Sequence, residues 1–139
     1  MIANSFTVHS HPPGVVAFLD ELKANNVGIM NAAVFNGGFL IGSDFYNYHR
    51  IDPDSPRGRE LSSWRDTFQS ICDDFGISVA EACVRFGNSH PAVNTVALSS
   101  SRPQRVATNV ASVSREVPDG FWEAVREHGL IDSTYPHLA

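Results

Sequence analysis

Serine hydroxyls, an arginine and an asparagine are grouped within the stretch LSSSRPQRVATNV, residues 98–110. Three consecutive serines come before an Arg-Pro pair, and an arginine and an asparagine follow four residues apart, on one face of the predicted helix. A strand end, a short loop and a helix N-terminus hold phosphate in many α/β proteins, because free amides and the helix dipole meet the anion there. The candidate ligands are Ser99, Ser100, Ser101, Arg105 and Asn109. A serine-rich helix cap without any ligand explains the same residues, and the pattern leaves both interpretations open.

Histidine and cysteine side chains can also do chemistry, and their spacing argues against a metal site or a disulfide. His9 and His11 form the one close histidine pair, but no third His, Cys or acid follows at a ligand spacing. Cys72 and Cys83 each lie inside a helix-like segment, and we interpret them as free, buried thiols. The sequence therefore predicts no metal ligands.

The segments that would position these residues alternate between apolar strands and amphipathic helices. The predicted strands are residues 1–8, 27–34 and 93–98. The predicted helices begin at Pro12-Pro13, at Arg59, at Ser78, at Ser101 and at Asp119. The helices beginning at Ser78 and Ser101 have capping-box patterns, and an apolar stripe follows the second box. That stripe consists of Val106, Val110, Val113 and Val117. This alternation predicts βαβ units, a parallel sheet and one α/β domain.

Residues 36–59 form a long loop that is rich in glycine, proline, aspartate and aromatic residues. Loops of this length inside compact domains are usually functional or disordered. Tyr46 and Tyr48 are candidate contacts for the rings and hydroxyl groups of a sugar. A surface loop that packs its aromatic side chains on its own domain is the alternative, and the sequence does not decide between them.

Composition and charge restrict the classes of partner. The chain has 139 residues, 18% of them charged, and a net charge of -5. Nucleic-acid surfaces need clustered Lys and Arg, and Lys23 is the sole lysine, so we expect no nucleic-acid partner. No apolar run reaches the length of a membrane span, and the N-terminus lacks the features of a secretory signal. We therefore expect a cytoplasmic protein without a membrane partner.

Two segments of the chain resemble the C-terminal part of the aldo-keto reductases. They are GIMNAAVFNGGFLIG and ACVRFGNSHPAVNTVALSSSRPQRVATNVASVSREVPDGFWEAVREHGLI. The sequence is most similar to the sugar dehydrogenase branch, the D-threo-aldose 1-dehydrogenase and L-fucose dehydrogenase group. The pieces match in order and spacing, and the resemblance covers essentially the whole chain.

The resemblance implies a (β/α)8 barrel, of which residues 1–139 would be a partial barrel domain, the C-terminal portion with about strands 6 to 8. It also implies an NAD(P)-dependent oxidoreductase that acts on a sugar or an aldehyde. The loop after strand 7, residues 32–40, would pass along the cofactor through Phe35, Asn36 and Gly38. The segment after strand 8 would hold the adenosine phosphate and adenine through Ser99, Ser100, Ser101, Arg105 and Asn109.

Three positions depart from the family pattern. Ala32 stands where many members have a tyrosine that stacks on the nicotinamide. Ser99 replaces a lysine that is frequent in NADP-preferring members, and Thr108 replaces an acid that often contacts adenine. The loss of the lysine favours NAD over NADP, although Arg102 and Arg105 could meet a 2′-phosphate.

The family's catalytic Asp, Tyr, Lys and His belong to the first half of the barrel, and no residue of this chain matches them. We therefore expect the chain alone to be inactive and to need the missing N-terminal half-barrel, or else to self-associate. Ile2, Ile29 and Val96 would face the uncovered interior of the barrel. The alternative function is a non-catalytic, truncated module that binds a nucleotide or assembles with another chain.

Overall fold

A parallel sheet with helices packed against it organises the protein. The structure is a computed structural model and describes residues 1–100 and 102–138. In chain order the elements are β1 (Ile2–Ala3), α1 (Pro13–Ala24), β2 (Ile29–Ala32), a 3-10 turn (Phe39–Ile41), β3 (Phe45–Tyr46), β4 (His49–Arg50), α2 (Pro56–Phe75), α3 (Val79–Gly87), β5 (Val93–Ala97), α4 (Arg105–Ser114) and α5 (Phe121–Glu127). The sheet has the order β1-β2-β5, and both strand pairs are parallel. The predicted βαβ arrangement is therefore confirmed.

The two faces of the sheet differ in what covers them. On β2, Ile29 is 3% exposed and Asn31 is fully buried, whereas Met30 between them is 41% exposed. The Asn31 amide donates to the carbonyl of Gly87 at 2.9 Å, so α3 covers this face. The alternation of exposure along β2 follows from the two-residue period of a strand.

The strand register places Ile2 and Val96 beside Asn31, on the helix-covered face. The expectation that Ile2, Ile29 and Val96 face an uncovered interior is therefore wrong. The uncovered face carries Ala3, Met30 and Thr95. Apolar residue type alone could not distinguish the faces, because both faces of a parallel sheet are usually buried.

The first strand is much shorter than its apolar sequence predicted. Pairing covers Ile2–Ala3, and Asn4 then takes a positive φ of 57°. Phe6 and Val8 are fully buried, but they pack in the core instead of extending the sheet. Phe6 lies against Phe86 of α3, with a ring-centroid distance of 5.3 Å. The predicted strand is therefore confirmed for residues 2–3 and wrong for residues 4–8.

The long loop after β2 contains ordered structure. Two short strands, β3 and β4, pair as an antiparallel hairpin, and the 3-10 turn Phe39–Ile41 precedes them. The loop's backbone bonds back to its own start, since the amide of Asn47 donates to the carbonyl of Asn36 at 2.9 Å. The hairpin is therefore fixed relative to the carboxyl end of β2.

Capping residues account for the ends of α2 and α3, the two helices that lie between β2 and β5 in the chain. α2 begins at Pro56, three residues before the predicted start, because Ser55 caps it by accepting from the Gly58 amide at 2.9 Å. It ends at Gly76, which has a φ of 64°. The capping box predicted at Ser78 is present and opens α3. These helices were the most predictable part of the fold.

α4 differs from its prediction in two respects. It begins at Arg105, and Gln104 before it makes no side-chain capping bond; Ser101, the predicted cap, lies outside the described residues. Val117 of the predicted apolar stripe lies beyond the helix and packs against the core. The other three residues of the stripe do not pack inward, because Val106, Val110 and Val113 are 56%, 68% and 38% exposed. Helix periodicity placed these valines on one face correctly, but the described residues contain no surface that covers them.

Candidate functional site

A cleft opens at the carboxyl end of β5, between the loop after β2 and the beginning of α4. It has a volume of about 370 Å³. Five residues predicted to bind the cofactor line it, namely Phe35, Ser99, Ser100, Arg105 and Asn109, and Ile41, Ala80 and Thr108 complete its wall. Residues separated by some 60 positions in the sequence are therefore brought to one site. Ser101 lies outside the described residues.

Arginine side chains provide the positive charge at this cleft. Arg105 lines it and Arg102 lies on the loop between β5 and α4, and both are exposed. Within residues 1–100 and 102–138, neither guanidinium forms an ion pair with a carboxylate. Because no carboxylate competes for them, these cations are available to an anionic ligand.

The backbone amides at the start of α4 contribute less than the sequence predicted. The amides of Arg105 and Val106 donate to the carbonyls of Arg102 and Pro103, at 3.0 and 3.1 Å. The amide of Arg102 donates to the Ser100 hydroxyl oxygen at 3.1 Å, and that hydroxyl donates back to the carbonyl of Arg102. Since these donors are already used, recognition of an anion here depends mainly on side chains.

Asn36 and Gly38 do not line the cleft. The fully buried Asn36 accepts a hydrogen bond from the Thr7 hydroxyl at 2.8 Å and donates to Asn47 Oδ1 at 3.1 Å. Gly38 has a φ of 93° and begins the 3-10 turn, where a side chain would be strained. Both residues therefore hold the loop in place.

The two candidate sugar-binding tyrosines have different environments. The Tyr46 hydroxyl lies 2.8 Å from His9 Nδ1, while Tyr48 is 72% exposed. The His9 ring also packs edge-on against Trp64, with centroids 4.8 Å apart. Burial, helped by the charge of Arg57, lowers the pKa of His9 to about 4, and burial raises the pKa of Tyr46. His9 is therefore neutral at physiological pH and fixes the position of the Tyr46 hydroxyl.

Sequence reasoning considered His9 only as a metal ligand and therefore missed this contact. His9 follows β1, whereas Tyr46 lies on the hairpin after β2. The carboxyl ends of neighbouring parallel strands meet at one edge of the sheet, and the parallel prediction was the one signal that could have suggested the pairing. The hydrogen bond itself required the tertiary structure.

One cluster within the described residues has the composition of a metal site. The ligand atoms of Asp20, His90 and His137 all lie within 4.8 Å of one another. However, His90 Nδ1 accepts a hydrogen bond from the Ala92 amide at 3.1 Å, so the neutral ring carries its proton on Nε2. That nitrogen faces Asp20 Oδ1 at 3.4 Å. Nε2 therefore carries a proton and has no hydrogen-bond partner among the described residues, while metal binding requires its lone pair.

Both cysteines are free and buried, as predicted. Burial raises the pKa of Cys72 to about 12 and raises that of Cys83 as well. Thiols of this kind are unreactive, because the thiolate is the nucleophile. Among the described residues, no helix has the length and apolarity that a membrane span requires.

A parallel α/β sheet with a cleft lined by serines and an arginine at the carboxyl end of its last strand is the arrangement that the sequence resemblance implied. The chain belongs to the aldo/keto reductase family, whose sequence model matches residues 1–129. Members of this family are oxidoreductases with a barrel fold and a nicotinamide cofactor. The parallel sheet described here is consistent with part of such a barrel.

Two characterised relatives are similar to this chain. Pyridoxal 4-dehydrogenase of Microbacterium luteolum is 28% identical over 118 residues, which are 82% of this chain and 33% of the relative. D-threo-aldose 1-dehydrogenase of Pseudomonas sp is 28% identical over 136 residues, which are 94% of this chain and 39% of that relative. The chain thus spans between a third and two fifths of the length of these relatives.

Proposed function

We propose that this chain supplies the adenosine-phosphate end of the cofactor site in an NAD(P)-dependent oxidoreductase that acts on a sugar or an aldehyde. The single observation that supports this most is the cleft at the carboxyl end of β5. It combines two arginines that form no ion pair among the described residues, one on its wall and one beside it, with serine hydroxyls and an apolar side. Ligands of barrel enzymes are held at the carboxyl ends of the strands, and phosphate is commonly bound after strands 7 and 8.

Each lining residue has a role in this proposal. Arg105 binds a cofactor phosphate through charge-assisted hydrogen bonds, and Ser99 adds a hydroxyl donor. Asn109, one helical turn after Arg105, is positioned to hydrogen bond with the adenosine moiety. Phe35 provides an apolar surface on the opposite side. The cofactor, when bound, supplies the hydride chemistry, and the protein positions it.

We assign NAD as the preferred cofactor, because Ser99 occupies the position of a lysine that is frequent in NADP-preferring members. Arg102 and Arg105 are the residues that would accommodate a 2′-phosphate if the preference is for NADP. For the substrate we assign Tyr46 and Tyr48. Tyr46 is the better placed of the two, since its hydroxyl is held by His9.

The catalytic step is assigned to residues outside this chain, because no residue here corresponds to the family's Asp, Tyr, Lys and His. We propose that the chain forms about strands 6 to 8 of a barrel and turns over substrate only together with the remaining strands. The second candidate is a non-catalytic module that binds a nucleotide or another chain. The uncovered sheet face, with Met30 at its centre, is the observation that favours it.

Nucleotide titration tests the proposed cofactor site. NAD and NADP are titrated into the 139-residue chain and into a full-length barrel that carries these residues, with and without Arg105→Ala. A charge-assisted hydrogen bond to phosphate contributes roughly 1.5 to 3 kcal/mol, so we expect the variant to weaken binding by about tenfold or more.

Arg50→Ala is the matched control, since it removes the same charge from the exposed hairpin away from the cleft. It should leave the dissociation constant unchanged. An Arg105→Ala variant that binds as tightly as the unaltered protein would disprove the site. Formation of NAD(P)H from aldoses by the 139-residue chain alone, above a boiled control, would disprove the assignment of catalysis to other residues.

A further inference from the structure

The segment after α5, residues 129–138, returns across α1 and the loop after β1, and a histidine ties it to that loop. The Asp132 amide donates to His11 Nε2 at 3.0 Å. On the other side of the ring, His11 Nδ1 lies 3.1 Å from the carbonyl oxygen of Thr7. A carbonyl oxygen only accepts, so Nδ1 carries the proton and Nε2 has the lone pair. This bridge therefore requires the neutral form of His11.

A second histidine below the same segment is held in its neutral form by similar contacts. His90 is fully buried, and its Nδ1 accepts from the Ala92 amide at 3.1 Å. The His137 ring of the segment packs edge-on against it, with centroids 4.6 Å apart. A proton added to Nδ1 would face the Ala92 N–H and would place a cation against His137. Protonation of His90 thus opposes the packing of the segment.

The segment has further anchors besides the two histidines. Tyr135 is buried and its hydroxyl lies 2.7 Å from the Ser89 hydroxyl. Arg126 donates to the carbonyls of Tyr135 and Leu138, at 3.2 and 3.4 Å. These contacts hold the segment alongside those of His11 and His90.

Neighbouring charges act on both rings, and burial has the largest effect. His9 and Asp132 face His11, and the Asp132 carboxylate partly opposes the effect of burial. Asp20 and Lys23 of α1 and His137 of the segment are the charged or titratable groups that face His90. The net result is a lowered pKa for both His11 and His90.

We propose that His11 and His90 form a proton-sensitive clasp, which holds residues 129–138 on α1 and on the loop after β1 while both rings are neutral and releases them on protonation. Proton linkage determines how the stability of the closed form changes with pH. The closed form binds fewer protons than the open form as the pH falls below about 6.5. Closure is therefore strongest above that pH and weakens as the pH falls toward the lowered pKa values.

The clasp also acts on the loop that carries His9. His11 bonds to the carbonyl of Thr7, whose hydroxyl donates to Asn36, and His9 between them contacts Tyr46. Release of the segment thus removes one support of the loop that positions Tyr46. The clasp includes no residue that lines the proposed cofactor cleft. The clasp and the cofactor site are therefore independent proposals, and either can be disproved without the other.

Amide hydrogen exchange tests the clasp. Protection factors, corrected for the intrinsic exchange rate at each pH, are compared near pH 7.5 and about pH 5. We expect the protection of the amides of Asp132, Thr134, Tyr135, His137 and Leu138 to fall by about tenfold or more, because protonation of the two rings favours the open form. Amides in the middle of α2 should keep their protection, because the opening is local.

Two variants separate the clasp from general acid sensitivity. His11→Gln removes the titrating ring, so the pH dependence at Asp132 should be reduced even if the basal protection is lower. His49→Gln, on the exposed hairpin, should retain the response of the unaltered protein. Nitrogen chemical shifts of His11 should show the proton on Nδ1 near pH 7.5. Constant protection of the segment, an equal loss in α2, or a proton on Nε2 would each overturn the proposal.

Discussion

Asn31 connects three parts of the chain through one side chain. Its amide nitrogen donates to the carbonyl of Phe6 and to the carbonyl of Gly87, both at 2.9 Å, and the residue is fully buried. α3 approaches the sheet closely at this point, since a Cβ on Gly87 would lie 2.6 Å from Val34 Cγ1. Asn31 thereby fixes the distance between α3, β2 and the loop after β1.

Replacement of Asn31 by alanine should lower the free energy of unfolding by about 2 to 4 kcal/mol. Two buried carbonyls lose their donor, and each unsatisfied buried group costs roughly 1 to 3 kcal/mol. Asn25→Ala is the control, because that exposed amide bonds only to Glu21 of its own helix. Urea denaturation measures both variants, and equal midpoints for the two would contradict the role given to Asn31.

Among the elements, α3 is the helix whose beginning is best determined locally. The Ser78 hydroxyl oxygen accepts from the Glu81 amide at 3.2 Å, and the Glu81 carboxylate accepts from the Ser78 amide at 3.0 Å. The hydrogen bonds that the Glu81 carboxylate accepts from Ser78 lower the pKa of that carboxyl group. α4 has no side-chain capping bond at its first residue, so its start depends on its surroundings.

The capping box predicts that Ser78→Ala destabilises the protein by about 1 kcal/mol, because one helix amide loses its acceptor. Ser63→Ala provides the control, since Ser63 is exposed within α2 and its side chain makes no hydrogen bond among the described residues. Thermal or urea unfolding of both variants checks the difference. If Ser63→Ala costs as much as Ser78→Ala, the cap does not stabilise the helix.

At the scale of the whole molecule, the sheet and α4 present apolar surface. β1 and β5 are the two edge strands of the three-stranded sheet. Met30 on the open face and Val110 on α4 are both exposed. A barrel closes such edges with further strands, and unpaired edges beside an apolar face favour association.

We therefore expect the 139-residue chain to self-associate in isolation and to become monomeric when complementary barrel strands are supplied. Val110→Glu should reduce the self-association, because it places a charge in the exposed valine stripe. Ser70→Glu adds the same charge to the exposed face of α2 and should change nothing. Sedimentation and light scattering measure the outcome. A monomer with a steep, cooperative unfolding transition would show that these residues need no complement.

The order of the three sheet strands and the five α-helices, the parallel sheet and the helix ends at Ser78 and Gly76 could be predicted from the sequence, because periodicity, caps and glycine conformation act within a few residues. The sequence resemblance to aldo-keto reductases was sufficient to predict family membership. The four-residue spacing of Arg105 and Asn109 predicted that they share one face of a helix, and both line the cleft.

Only the tertiary structure decided which predicted residues meet. Asn36 and Gly38 were predicted cofactor contacts together with Phe35, yet they support the loop outside the cleft, which Phe35 lines. Phe6 and Val8 leave the sheet because packing against α3 and the C-terminal segment buries them, which their apolar character alone could not specify. The His11–Asp132 bond joins residues 121 positions apart. Contacts over such a separation depend on how the whole chain packs, and no local pattern of residues encodes them.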